Sequence, residues 1–190
     1  MSQTGPRVAV VGSGAWGTTM AAHIGRREPV ALVCRSADTA GVIAATRRNE
    51  RRLPGIDLPR DLIATADPSA VASAELVVLA VPSAHLRTVV GALGPVIRSD
   101  ADVLSLVKGI EQGTLMRPSE VIADAAGIEG LRIAALSGPN LAPEIARRRP
   151  ASAVAMRSRG RSIPGSRRSF RRVAAMTPAV SADRQTRATG

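Results

Sequence analysis

The sequence predicts an α/β protein with a doubly wound, mostly parallel sheet, and three observations carry that expectation. First, the apolar run Arg7-Val8-Ala9-Val10-Val11 leads straight into Gly12-Ser13-Gly14-Ala15-Trp16-Gly17, and Met20, Ala21 and Ile24 follow at helical spacing. Strand, G-x-G-x-x-G and helix thus stand in the order of the Rossmann-type dinucleotide-binding turn. Second, further short apolar runs alternate with helix-like stretches, the pattern of strands covered by helices on both faces. Third, 190 residues at 45% apolar content suffice for one domain with a real core, or for one domain and a fragment of another.

Each glycine of the turn has its own task in such a fold. Gly12 permits the tight turn, Gly14 lets a pyrophosphate approach the backbone, and Gly17 lets helix pack on strand. The helix N-terminus offers N–H groups and partial positive charge to phosphates. The same glycine spacing also serves a strand–helix turn that holds no ligand. Val8 to Gly25 carries no charge, but four glycines, three hydroxyl residues and His23 in that stretch argue against a membrane span.

The next strand is expected at Val30-Ala31-Leu32-Val33-Cys34, ending at Arg35. NAD-selective folds place an acid near this point, about 20 residues after the glycines. Here the residue 23 positions after Gly12 is Arg35. An arginine can accept a 2′-phosphate or lie against an adenine, so NADP is tolerated beside NAD; a solvated arginine at a strand end is the alternative. Residues 36–74 mix polar helix-like sequence with Leu53-Pro54-Gly55-Ile56-Asp57-Leu58-Pro59, and Leu62–Thr65 reads as a short strand. Glu75 to Val81 is a continuous apolar run stopped by Pro82, a fully buried strand. Ser83 is placed to cap the following helix, whose Leu86, Val89, Val90 and Leu93 form one apolar face. Asp102–Val107 reads as a strand, Ser119–Ala126 as a helix ended by Gly127, and Leu131–Leu136 as the last strand. Ligands bind beyond the carboxyl ends of such strands. The glycine turn, Arg35, Pro82-Ser83, Lys108 and Gly138-Pro139-Asn140 all stand there and are expected to line one crevice.

Composition sharpens this. The net charge of +11 divides unevenly: residues 1–146 hold 14 Lys+Arg against 14 Asp+Glu, whereas residues 147–190 hold 12 arginines against Asp183. The excess belongs to the end of the chain and not to the domain. Lys108 is the single lysine among 26 basic residues. A lone ammonium at a strand's carboxyl end suits a site that must direct charge at a carbonyl or phosphate. Cys34, the only cysteine, sits in an apolar run as a buried thiol, which excludes an internal disulfide; no metal site is expected. No secretory leader pattern opens the sequence, so a cytoplasmic location is expected.

Six ordered motifs resemble bacterial NAD(P)-dependent glycerol-3-phosphate dehydrogenase, specifically its N-terminal, cofactor-binding part. They are Gly12-Ser-Gly-Ala-Trp-Gly17-Thr; Asn49 with Leu53–Pro59; Ala64-Thr65 with Asp67; Leu76–Ser83; Lys108-Gly-Ile-Glu111; and Leu136-Ser-Gly-Pro-Asn140-Leu-Ala with Glu144-Ile-Ala. The family reduces dihydroxyacetone phosphate to sn-glycerol 3-phosphate, an early step of glycerophospholipid synthesis. The resemblance implies cofactor contacts from Gly12, Gly14, Ala15, Trp16, Gly17, Arg35, Pro82, Lys108 and Ala142. It implies substrate contacts from Lys108, Gly138 and Asn140, and allows a homodimer in full-length relatives.

Two departures stand out. The family's second, all-helical domain carries its general acid/base lysine and phosphate-gripping residues, and this chain has no second lysine. The resemblance also fades near Met156. From Arg157 the sequence is rich in Arg, Ser, Gly, Pro and Ala without helical period. These residues share GC-rich codons, which points to a frameshift near codon 156; a genuine basic tail is the alternative. Residues 1–156 are therefore expected to form the NAD(P)-binding domain, and 157–190 a disordered or out-of-frame tail in a truncated chain. A catalytically inactive NAD(P)-binding remnant is the second reading. Nucleic-acid binding through the tail is the weakest, since Phe170 is the only aromatic there to stack on bases.

Overall fold

The computed structural model describes residues 5–128, 132–138, 141–149 and 153–157. Its sheet is organised around β1 (Val8–Val11), all four residues of which are buried. β2 (Val30–Val33) and β6 (Leu76–Leu79) flank β1 in parallel register, with Val11 opposite both Val33 and Leu79. β5 (Leu62–Thr65) extends the β2 side; β7 (Asp102–Ser105) and β8 (Ile133–Ser137) extend the other. The order is β5-β2-β1-β6-β7-β8-β9, where β9 (Val154–Arg157) pairs antiparallel with β8 at the edge. The chain winds outward from β1 through β2 to β5, then crosses to β6 on the far side. The switch point of this doubly wound sheet thus lies between β1 and β6, where such sheets form their ligand crevice.

Buried, β-branched runs make these strands because both faces are covered. On one face, α1 (Ala15–Ile24) and α2 (Ala37–Thr46) pack Met20, Ile24 and Ile43 against Val8, Val10, Leu32 and Val78. On the other, α3 (Ser83–Leu93) and α4 (Pro118–Ala126) bring Leu86, Val90 and Ile122 onto Val77, Leu79, Val103 and Ile133. Each such Leu, Ile or Val contributes roughly 1.5–3 kcal/mol by leaving water. A short α5 (Ala142–Ala146) packs on α1, where Thr19 Oγ1 donates to the Ala142 carbonyl at 3.2 Å.

Several elements differ from the sequence expectation. α1 starts at Ala15, inside the glycine motif, because Gly14 in extended conformation already serves as its N-cap. Ser83 is the first helical residue of α3 and not its cap; Pro82 occupies the cap position and its fixed φ of −60° starts the helix. β7 stops at Ser105, two residues early. Leu131–Leu136 is not the last strand, since β9 follows it and carries the sheet pairing to Arg157, one residue past the expected boundary. The Pro/Gly segment folds as an antiparallel hairpin of β3 (Arg48–Asn49) and β4 (Leu53–Asp57), turned through residues 50–52, with Gly55 at φ 70° inside the irregularly paired β4. Residues 158–190, the remainder of the expected tail, lie outside the described residues. Among the described residues no helix is long and apolar enough to cross a membrane.

Candidate functional site

In the parallel register Val11, Val33, Leu79, Ser105 and Ala135 lie in one row across five strands. The segments that leave those strands therefore emerge side by side. They carry the glycine turn, Arg35, Pro82, Lys108 and Gly138. Gly138 is half-buried at the end of β8, and Lys108, Arg35 and Pro82 are exposed. Pro139 and Asn140 fall outside the described residues, so the expected place of Asn140 in the crevice is not described.

The glycine turn separates three roles by space alone. Gly12 has φ 105°, and a Cβ there would lie 2.6 Å from the Ala80 carbonyl oxygen. A Cβ on Gly17 would lie 1.7 Å from the Gly12 oxygen. Both positions are closed by the protein itself. At Gly14 a Cβ would meet nothing within 4 Å. The backbone at Gly14 is thus bare on its open side, at the N-terminus of α1, where a diphosphate fits. Ala15 and Trp16 form the first turn of α1, and both are half-buried; Trp16 packs against the core beneath.

Two networks hold the loops. Beneath the glycine turn, buried Asn49 donates from Nδ2 to the Ser13 carbonyl at 2.9 Å and to Thr18 Oγ1 at 2.8 Å. The hairpin that carries Asn49 is clamped by Arg47, whose guanidinium donates to the carbonyls of Leu62, Pro59 and Arg60. Beyond β7, Gly109 turns at φ 94° next to Ser83, a Cβ there lying 4.0 Å from Ser83 Oγ. Arg87 on α3 then grips Glu111 with two bonds of 2.9 Å and reaches Asp124 on α4 at 2.5 Å. Arg87 and Thr114 Oγ1 hold the Glu111 carboxyl below the usual carboxylate range. The Lys108 segment is thereby fastened at both ends, to β7 before it and α3 after it.

Sequence reasoning named Asn49 and Glu111 only as motif members and missed Arg47 and Arg87 altogether. Each acts on a carbonyl or carboxylate far away in sequence, and no periodicity marks such partners. Cys34 is buried, 5% exposed, and burial pushes its thiol up, as its apolar surroundings implied. His23 lies deeper along α1, away from the crevice. Burial lowers its imidazole, with help from Arg26, Arg27 and Arg148, and neither ring nitrogen has a hydrogen-bond partner. A cavity of about 420 Å³ lies at the opposite end of the sheet, between the ends of α3 and α4. Its two arginines are already engaged, Arg98 with the Asp100 carboxylate and Arg132 with the Asp100 carbonyl, so the crevice is the better candidate site.

Fold, switch point and open glycine together define a Rossmann-type dinucleotide-binding domain. The sequence profile of NAD-dependent glycerol-3-phosphate dehydrogenase N-terminus matches residues 7–161. The chain belongs to that family. A glycerol-3-phosphate dehydrogenase [NAD(P)+] of Corynebacterium urealyticum is 45% identical over 150 residues, which cover 78% of this chain and 45% of the relative. One from Nocardia farcinica is 46% identical over 155 residues, with 78% and 46% covered. The chain thus spans about 45% of the length of these curated relatives. Among solved structures, glycerol-3-phosphate dehydrogenase of Coxiella burnetii superimposes with TM-score 0.80 at 24% identity, covering 95% of this chain and 55% of that one. That likeness speaks to the fold.

Proposed function

We propose that the crevice binds NAD(P)H, with its diphosphate on the glycine turn, and that it is the cofactor half of an enzyme reducing dihydroxyacetone phosphate to sn-glycerol 3-phosphate. The observation that carries this is the contrast among the three glycines of the motif: Gly12 and Gly17 are sterically closed, and Gly14, at the N-terminus of α1, is open. Gly12, Gly14, Ala15, Trp16 and Gly17 hold the diphosphate end. Arg35, exposed just past β2 where an acid would select NAD, takes the 2′-phosphate side, so NADP is accepted. Pro82 packs near the nicotinamide end, and Ala142 touches the cofactor. Lys108, Gly138 and Asn140 face the substrate, and Lys108 reaches the cofactor as well. A cytoplasmic location accords with this chemistry.

When bound, the dinucleotide supplies a hydride to the ketone carbon, and the ketone oxygen gains a proton. The task of Lys108 is electrostatic: an ammonium near that oxygen favours the negative charge that builds on it. Segments on β7, α3 and α4 fix the loop that carries this lysine, so little reorganisation is needed during reaction. A positioned proton donor contributes typically about 10²–10⁴-fold. Lys108 is the only lysine of these 190 residues and already serves charge stabilisation. Residues 1–190, purified alone, are therefore expected to bind NADPH and to reduce dihydroxyacetone phosphate slowly. NADPH oxidation with excess substrate, beside Lys108→Ala, tests it. Fast turnover that Lys108→Ala abolishes would mean that the proton donor lies within this chain.

A further inference from the structure

We infer that Asn49 is a positioning residue for dinucleotide binding: it locks the Ser13–Gly14 peptide so that its amide faces the ligand. The inference rests on the reading of the crevice as an NAD(P)H site. It starts from an asymmetry in the turn. Gly14 tolerates either sign of φ, so the peptide before it can rotate at low cost. One orientation presents the Gly14 N–H to a phosphate; the other presents the Ser13 carbonyl, which repels an anion. Something must choose between them.

The structure shows what chooses. The Ser13 carbonyl accepts from Asn49 Nδ2 at 2.9 Å and from Thr18 Oγ1 at 3.3 Å, so both lone pairs are engaged on the inner side. A carbonyl can only accept, which fixes the Asn49 amide with its NH₂ toward the turn; its second hydrogen goes to Thr18 Oγ1 at 2.8 Å. A trans peptide is planar and sets C=O and N–H in opposite directions. With the Ser13 oxygen held inward, the Gly14 N–H must point away from the buried cluster. Asn49 is 5% exposed and does not itself reach the open side. It acts through the backbone, from a hairpin that Arg47 pins to β5 and its approach.

The consequence is specific to phosphate recognition. Asn49→Ala in the full chain is expected to bind NADPH about tenfold more weakly, the effect of one well-placed hydrogen bond lost. Titrated by NMR, the unsubstituted chain should show a downfield shift of the Gly14 amide proton on NADPH binding, and Asn49→Ala should lose that shift. Asn49→Leu keeps the buried volume without the donors and should behave like Asn49→Ala, so a folding defect of the smaller side chain cannot decide the result. Unchanged affinity in the variants would overturn the inference, as would weaker binding with the Gly14 shift retained. If the unsubstituted chain itself fails to bind NADPH, the reading of the crevice falls and the inference with it.

Discussion

The glycine turn and the Lys108 segment leave neighbouring parts of one sheet, yet they are held in opposite ways. The turn is fixed by sterics and buried dipoles: closed space at Gly12 and Gly17, and an amide cluster under Ser13. The Lys108 segment is fixed from outside, by an Arg87–Glu111 pair in which Arg87 is 40% and Glu111 17% exposed. A phosphate cradle has to keep one backbone shape, and buried contacts provide that. The ion pair outside stands in water, so salt and pH act on it directly.

Substitutions can break this contrast, beginning with the largest effect on the fold. Gly17→Ala should cost roughly 4 kcal/mol or more, since its Cβ would stand 1.7 Å from a backbone oxygen that cannot move without undoing the turn. Urea denaturation would measure the loss; a change near zero would mean that α1 can shift on β1 and that the turn is not sterically locked.

Arg87→Ala should barely change the melting temperature, because exposed ion pairs add little. Its mark should be local: faster hydrogen exchange of the amides of Glu111 and Leu115, with those of β1 unchanged. Acid should mimic it in the unsubstituted chain. The Glu111 carboxyl is held below its ordinary value of 4.5, so the contact is intact above that pH and is lost as the pH falls through the lowered value. Exchange at Glu111 that is insensitive to both changes would show that the backbone alone holds the segment.

The same contrast explains what the sequence disclosed. Strands β1, β2, β6 and β7 were legible because burial on both faces writes them as unbroken apolar runs, and the glycine turn because its spacing is itself the geometry. The strand ends that stand in one row, Val11, Val33, Leu79 and Ser105, followed from the same runs. The hairpin of Arg48 to Asp57 was hidden, since it pairs by backbone and its exposed residues carry no alternation. β9 was hidden for a like reason: Val154 and Met156 are exposed on an edge strand whose pairing partner, not its own pattern, defines it. Asn49, Arg47 and Arg87 gain their roles only when residues distant in sequence meet in space.

The central claim is that Gly14 is kept bare for a ligand and not for the fold. Gly14 adopts φ −69° and ψ −178°, a conformation open to any residue, and a Cβ there meets nothing. Gly14→Val should therefore leave stability within about 1 kcal/mol, the scale of an N-cap substitution. It should also fill the approach of a diphosphate. Calorimetric titration with NADPH, run beside a thermal melt of both proteins, is the direct measurement. The account predicts a melt shifted by no more than about 5 °C with NADPH affinity reduced at least tenfold, and a similar melt with unaltered affinity would contradict it.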